Sequence, residues 1–371
     1  MKTAISRPYL LLTPGPLTTS CGVKEAMLHD WCTWDEDYNR LVEDVRRRLL
    51  SLPGGDMSRY TTVLMQGSGT FTVESVVGSM MPAKEGKLLV LANGAYGDRI
   101  ATIARTLRID TVVQRAKDVE IPDLTLFEQA LSRDRSITHV AAVHVETTTG
   151  ILNPIVAIAE IAKRHDRRLL IDSMSGFGGI GMDISGMDID YVVSSANKCI
   201  QGVPGFGFVI AKRDELAKCE GRARSHSLDL YGQWSQMESG KGKWRFTSPT
   251  HVVHAFYQAL LELEKEGGIP SREARYRNNC RIVQEGMEGL GFKPVIPRQY
   301  QSPIITAFYP PQHPGYHFPR FYQALKRRGF VIYPGKLTEA ETFRIGHIGD
   351  IHAEDMHQLI KAVEESMYWT K

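Results

Sequence analysis

The sequence predicts an α/β protein: a mostly parallel central sheet covered by helices, followed by a smaller α+β C-terminal domain. Three observations carry this expectation. Strand-like and helix-like runs alternate over residues 60–211, the pattern of a parallel sheet with crossover helices. One run, residues 139–145, is almost continuously apolar, as a strand buried on both faces should be. After about residue 248 long helical stretches take over, with only two short strands among them.

Element by element, the chain opens on an extended, turn-rich segment, Thr13-Pro14-Gly15-Pro16. Leu41, Val45, Leu49 and Leu52 recur at helical spacing, so residues 37–52 form a helix that Pro53-Gly54-Gly55 ends. The alternation then begins with a strand at 60–65, a tight loop at 66–70 and a helix from Thr72 to just before Pro82. Strands at 87–91 and 111–114 flank a helix at 98–107. Pro154, well suited to a first helical position, opens a helix to about His165. Strands at 168–171, 191–194 and 207–211 complete the series. Helices are expected beyond that at 251–266, 272–290, 318–328 and 353–368, with strands at 303–308 and 343–346.

Composition narrows the class of function. The chain has 371 residues, enough for about two domains. At 42% hydrophobic and 23% charged residues it is neither disordered, collagen-like nor a disulfide scaffold. A net charge of +3 is too balanced for a nucleic-acid stripe or a polybasic membrane anchor, so neither partner is expected. No apolar run approaches the about 18 residues of a membrane span, and the apolar start after Lys2 and Arg7 stops at Pro14. The five cysteines are odd in number and form no C-x-x-C pair, which points to reduced thiols and the cytoplasm. No histidine spacing suggests a metal site.

Open parallel sheets bind ligands beyond the C-terminal ends of their strands, and four clusters fall there or beside it. Gly67-Ser68-Gly69-Thr70 joins a strand to a helix; it is either an ordinary capped turn or an anion cradle built from backbone N–H groups and a helix N-terminus. It lacks the residues of a Walker loop and the third glycine of a dinucleotide fingerprint. Asp172 ends the strand Leu170-Ile171-Asp172, as a turn cap or as a partner for a buried cation. Lys198 lies among small polar residues and glycines, as an exposed loop lysine or as a nucleophilic amine made less basic by burial. Arg344, between Phe343 and Ile345, needs an anionic partner, either a structural carboxylate or a ligand. One strand–connection–strand unit separates Asp172 from Lys198, so both can meet at one sheet edge. A lysine to hold an aldehyde, a carboxylate to keep a pyridine nitrogen protonated and a loop for a phosphate are the three fixtures pyridoxal 5'-phosphate (PLP) requires.

Nine stretches in order add a family to this reading. They are LTPGPLTTS (12–20), QGSGT (66–70), NGAYG (93–97), ETTTG (146–150), SSANKCIQGVPG (194–205), KWRFTSPTH (243–251), SPIITAFY (302–309), FVIYPGK (330–336) and FRIG (343–346). Along essentially its whole length the chain resembles the class V branch of the fold-type I PLP-dependent aminotransferases. The resemblance implies that Lys198 carries the cofactor aldehyde, that Asp172 pairs with the pyridine nitrogen and that Ser68, Gly69 and Thr70 form the phosphate cup. It places Tyr96 against the cofactor ring, Thr147 on the ring hydroxyl and Asn197 beside the lysine. It sends Thr247 to the phosphate of the other subunit, implying a homodimer with shared sites, and gives Arg344 the substrate anion. It also implies a large cofactor domain at 20–248 and a small domain made of 1–19 and 249–371. Tyr96 and Asn197 depart from the alanine–glyoxylate branch, which has Gln before the lysine. The resemblance itself implies 2-aminoethylphosphonate as amino donor and pyruvate as acceptor, with serine–pyruvate or alanine–glyoxylate transamination on the same fold as the alternative.

Overall fold

The computed structural model describes residues 8–335, 337 and 340–370. Residues 1–7 of the expected small domain, and Lys336 at the end of the FVIYPGK stretch, lie outside the described residues. Among the described residues seven strands form the central sheet: β1 (Tyr60–Gln66), β2 (Lys87–Ala92), β3 (Thr111–Arg115), β4 (Ile137–Val143), β5 (Arg168–Asp172), β6 (Tyr191–Ser195) and β7 (Phe206–Lys212). Their spatial order is β1-β7-β6-β5-β4-β2-β3. β7 runs against both its neighbours and every other ladder is parallel. This is the mostly parallel, helix-covered sheet that the sequence predicts, and the C-terminal ends of β1, β2, β4, β5 and β6 share one edge.

The central strands are buried on both faces, and their Val, Leu, Ile and Ala content follows from that. One run begins and ends two residues earlier than its apolar pattern predicts. β4 stops at Val143: the His144 N–H makes the last rung to the Asp172 carbonyl at 2.8 Å, and the His144 carbonyl then accepts from the Asn153 N–H at 2.9 Å as the chain leaves the sheet. Val145–Glu146 pairs instead with Ile151–Leu152 in a tight hairpin. The helix Ala95–Thr106 begins three residues before its expected start, with the Tyr96 N–H of its first turn held by the Glu146 carboxyl at 3.1 Å. The helix Gly268–Gly289 also starts early, with Pro270 tolerated in its first turn. Helices at Cys21–Ala26, Leu124–Arg133, Arg213–Ala217 and Leu230–Ser239 are additions to the expected set; Leu124, Phe127 and Leu131 of the second do recur at helical spacing, and Ser20, Asp123 and Asp229 cap three of the four.

Two large cores organise the chain. The first joins the sheet to its helices and includes Val253, Phe256, Leu260 and Leu263 of the helix Thr250–Glu266. The first core therefore extends one helix beyond residue 248. Phe206, Phe208, Phe256 and Trp244 form an aromatic group at its centre. The second core gathers Phe292, Phe308, Phe321, Phe343 and Trp369 around a small antiparallel sheet of Ile305–Phe308, Phe343–Gly346 and Tyr333–Pro334. Leu12 belongs to this second core, and Leu10–Leu11 pairs in parallel with Phe330–Val331.

Ile171 is fully buried in β5, one residue before Asp172. Ile171→Ala should cost about 2–5 kcal/mol in urea unfolding followed by far-UV circular dichroism. A cost below about 1 kcal/mol would mean that β5 is not in the packed centre of the sheet.

Candidate active site

A cavity of about 200 Å³ opens at the shared strand edge. Ser68, Gly69 and Thr70 after β1, Tyr96 and Arg99 after β2, Asp172 on β5, and Asn197 and Lys198 after β6 all line it. The topology thus brings separated stretches together, as an edge of aligned strand ends must.

Ser68 occupies the N-cap position of the helix Gly69–Met80, but its hydroxyl makes no capping hydrogen bond. The first-turn N–H groups and the hydroxyl face the cavity together, so the anion cradle describes this loop better than the capped turn does. The approach at Gly69 is close: a Cβ there would lie 2.3 Å from the sulfur of Met174, whose side chain would have to move aside.

Asp172 is buried and accepts a 2.9 Å hydrogen bond from the Met174 N–H. Burial pushes its carboxyl up to about 6, against the pull of that N–H and of the Arg99 and Lys198 charges. Lys198 is shifted the other way. Burial brings its amine down to about 8, opposed by Cys199 and Asp172 and assisted by Arg344 and Arg99. Its Nζ donates to the carbonyl of Pro14 at 2.6 Å. The turn-rich N-terminal segment therefore lies directly over the lysine, and a Cβ on Gly15 would come within 2.9 Å of Nζ. Cys199, beside it, is a packing thiol: it is fully buried, its Sγ donates to the Ser175 carbonyl, and burial pushes it up to about 12.

Arg344 is buried on the small sheet with no carboxylate at ion-pair distance among the described residues, so the structural salt bridge does not form. Its Nε and Nη2 donate to the Pro334 carbonyl at 3.0 and 2.9 Å, and its Nη1 to the Thr147 carbonyl at 2.8 Å. A guanidinium has five N–H groups, so one hydrogen remains on Nη1 and one on Nη2. Those two, one on each terminal nitrogen, are left to meet an oxyanion. The Tyr333 ring lies 5.2 Å from the guanidinium carbon. Thr147 presents a buried Oγ1 that has no partner among the described residues. Thr247 is not brought in; it is exposed and does not line the cavity of its own chain.

Two further residues belong to the site and do not stand out in the sequence. Arg99 lines the cavity one helical turn after Tyr96, with its guanidinium 5.0 Å from that ring and 3.4 Å from the Thr70 hydroxyl. Glu146 is fully buried, and burial pushes its carboxyl up to about 7 despite the Thr148 and Tyr96 donors that hold it. The signals for both are positional, since Arg99 follows NGAYG by two residues and Glu146 begins ETTTG.

This geometry defines a PLP-type transferase site, and comparison with known proteins agrees. The chain belongs to the class-V aminotransferases, whose family model matches residues 32–336, and it is an aminotransferase using PLP. It is 59% identical, over 96% of its length and 97% of the relative's, to the 2-aminoethylphosphonate–pyruvate transaminase of Bacillus cereus (strain G9842). It is 58% identical, over 97% and 98%, to the protein of the same name from Bacillus mycoides (strain KBAB4). Among solved structures, alanine–glyoxylate aminotransferase from Nostoc sp. superposes with a TM-score of 0.90 at 21% identity, covering 99% of this chain and 97% of the other. Pyridoxamine–pyruvate aminotransferase from Mesorhizobium loti superposes with a TM-score of 0.89 at 23% identity, covering 98% and 93%. At those identities the structural likeness speaks for the fold.

The residues present fit the cofactor. An uncapped helix start suits its phosphate, the unpartnered Thr147 hydroxyl suits a ring oxygen, and a buried carboxylate and amine stand at one cavity.

Because the Lys198 amine is brought down to about 8, it should react with amine reagents in cofactor-free protein with a midpoint near pH 8. Ordinary lysines titrate near 10.4. Asp172→Asn removes a charge that holds the proton on Lys198, so its midpoint should move lower still. Site-resolved labelling by mass spectrometry measures both; a Lys198 midpoint at or above 10 contradicts the burial argument.

Proposed function

We propose that the chain transfers the amino group of 2-aminoethylphosphonate to pyruvate, giving phosphonoacetaldehyde and L-alanine in phosphonate degradation. The observation that carries this reading is Arg344, a buried guanidinium with two unspent N–H groups and no carboxylate partner among the described residues. A fork of that kind accepts the phosphonate of the donor and then the carboxylate of the acceptor, which a two-stage exchange requires of one site. The identity of 58–59% to proteins named for this reaction supports it.

The roles of the chain's residues follow from their surroundings. When bound, PLP supplies an aldehyde for the amine and a ring that withdraws electrons from the adjacent carbon. Ser68, Gly69 and Thr70 would hold its phosphate, Tyr96 its ring face, Thr147 its ring hydroxyl and Asp172 its pyridine nitrogen, with Asn197 beside the lysine. Asp172, at about 6, is mostly ionised at neutral pH and is held in place by the Met174 N–H, so it can keep a pyridinium proton. Lys198, at about 8, gains and loses a proton at Nζ with little driving force either way, which suits a group that must act as both base and acid. Pro14 gives that amine a fixed acceptor whenever it is not covalently engaged. Thr247, exposed beside the half-exposed Phe246, would serve the phosphate of a partner subunit, so a homodimer with shared sites is included in the proposal. Five unpaired cysteines support a cytoplasmic setting.

Lys198→Ala should lose the absorbance of lysine-bound cofactor and nearly all turnover; wild-type turnover in that variant contradicts its assignment. Asp172→Asn should retain cofactor and lose most of the rate. A donor panel read by cofactor absorbance decides the substrate: 2-aminoethylphosphonate should convert the aldehyde form to the amine form. Conversion by alanine or serine but not by the phosphonate would overturn the proposal.

A further inference from the structure

Glu146 stands apart from the residues that the reaction uses directly. Its side chain is fully buried beside the site, and a carboxyl in that position needs donors to be tolerated. Three are supplied. Oε2 accepts from the Tyr96 N–H at 3.1 Å, and Oε1 accepts from the Thr148 N–H at 3.3 Å and from the Thr148 hydroxyl at 2.6 Å. The Tyr96 N–H belongs to the first turn of the helix Ala95–Thr106, whose N-cap residue, Gly94, has no side chain to offer. Glu146 thus supplies, from a distant segment of the chain, the acceptor that this helix start lacks. The approach is close: a Cβ on Gly94 would lie 2.5 Å from the Glu146 carboxyl carbon and 2.7 Å from the Thr148 hydroxyl.

The main chain of Glu146 is equally constrained. Its carbonyl accepts from the Gly150 N–H at 2.8 Å and the Thr149 N–H at 3.3 Å, closing the hairpin turn. Thr147 sits between two residues pinned to the same carboxyl. Its carbonyl points to Arg344 Nη1, and its hydroxyl is left without a partner among the described residues. One buried side chain therefore joins the helix that presents Tyr96 to the turn that presents Thr147, and through it to Arg344. The charge of Glu146 also reaches Arg344.

We infer that Glu146 is a positioning residue for the transamination: its carboxyl fixes the Tyr96 ring and, through the Thr147 carbonyl, the Arg344 guanidinium in one frame. It touches neither substrate nor cofactor. The inference rests on the reading of Tyr96 as the ring-facing residue and of Arg344 as the anion fork. Its specific content is that the ring and the fork share a single anchor, so that loosening the anchor disturbs both.

Glu146→Gln keeps the size but turns an N–H toward donors, so one of its contacts must break. In the PLP-loaded enzyme the variant should show an altered visible circular dichroism band from the cofactor and a PLP dissociation constant raised about tenfold. KM for 2-aminoethylphosphonate and for pyruvate should rise together, each by about tenfold, with kcat changed less. Thr148→Val removes only the hydroxyl donor and should show the same pattern at smaller amplitude; it remains informative if Glu146→Ala does not fold. Wild-type dichroism and KM values in Glu146→Gln, or a lowered Tm with both unmoved, would reduce Glu146 to a stabilising cap and overturn the inference. Arg344→Lys is the control that separates the two readings. If it leaves both KM values unchanged, the Arg344 reading has failed, and the dichroism and PLP affinity of Glu146→Gln then decide the Tyr96 half of the inference by themselves.

Discussion

A carboxyl and an amine buried at the same sheet edge set the terms for the site. Burial alone would neutralise both, since it disfavours either charge. It pushes Asp172 up and Lys198 down until their values stand at about 6 and about 8, on either side of neutrality. Between those values both groups are mainly charged, and each charge helps to keep the other. A small change at either group is then enough to move a proton. The sheet makes this possible because β5 and β6 are adjacent and parallel, so the residues that follow them leave the core together. An antiparallel pairing would send one of the two to the opposite edge.

In the proposed reaction, substrate recognition falls to the second core. The guanidinium proposed to read the anion belongs to a strand of the small sheet, and backbone carbonyls rather than carboxylates hold it. A carbonyl orients an arginine without cancelling its charge. That is a useful property where the ligand must be a dianion at one stage and a monocarboxylate at the next. It also explains why the chain needs no strong net charge for an anionic substrate: at +3 overall, the charge that matters is one buried arginine beside the lysine.

Much of this is legible in the sequence because chemistry and fold leave marks at the same positions. Strand ends carry Asp172 and the loop before Lys198, and apolar alternation locates those ends within a residue or two. Loops rich in glycine mark the phosphate cradle. What cannot be read are relations between distant segments. Nothing in the apolar run at 139–145 shows that β4 ends at Val143, because the partners that draw the chain away, Ile151–Leu152 and the Asn153 N–H, lie beyond the run. The true start of the helix that carries Tyr96 escapes a local reading because its stabilising acceptor, Glu146, comes from far along the chain. A boundary at 248 follows a change in pattern, whereas the helix Thr250–Glu266 follows its packing onto the first core.

The segment that covers Lys198 is held from a distant part of the chain. Leu10–Leu11 pairs with Phe330–Val331, and Leu12 exchanges backbone hydrogen bonds with Val331 and Gly346. Leu12 also packs into the second core beside Phe343 and Ile345, the neighbours of Arg344. The carbonyl that meets the lysine amine and the guanidinium of Arg344 therefore ride on one packed unit, and a displacement of that unit against the central sheet would move both relative to Lys198 at once.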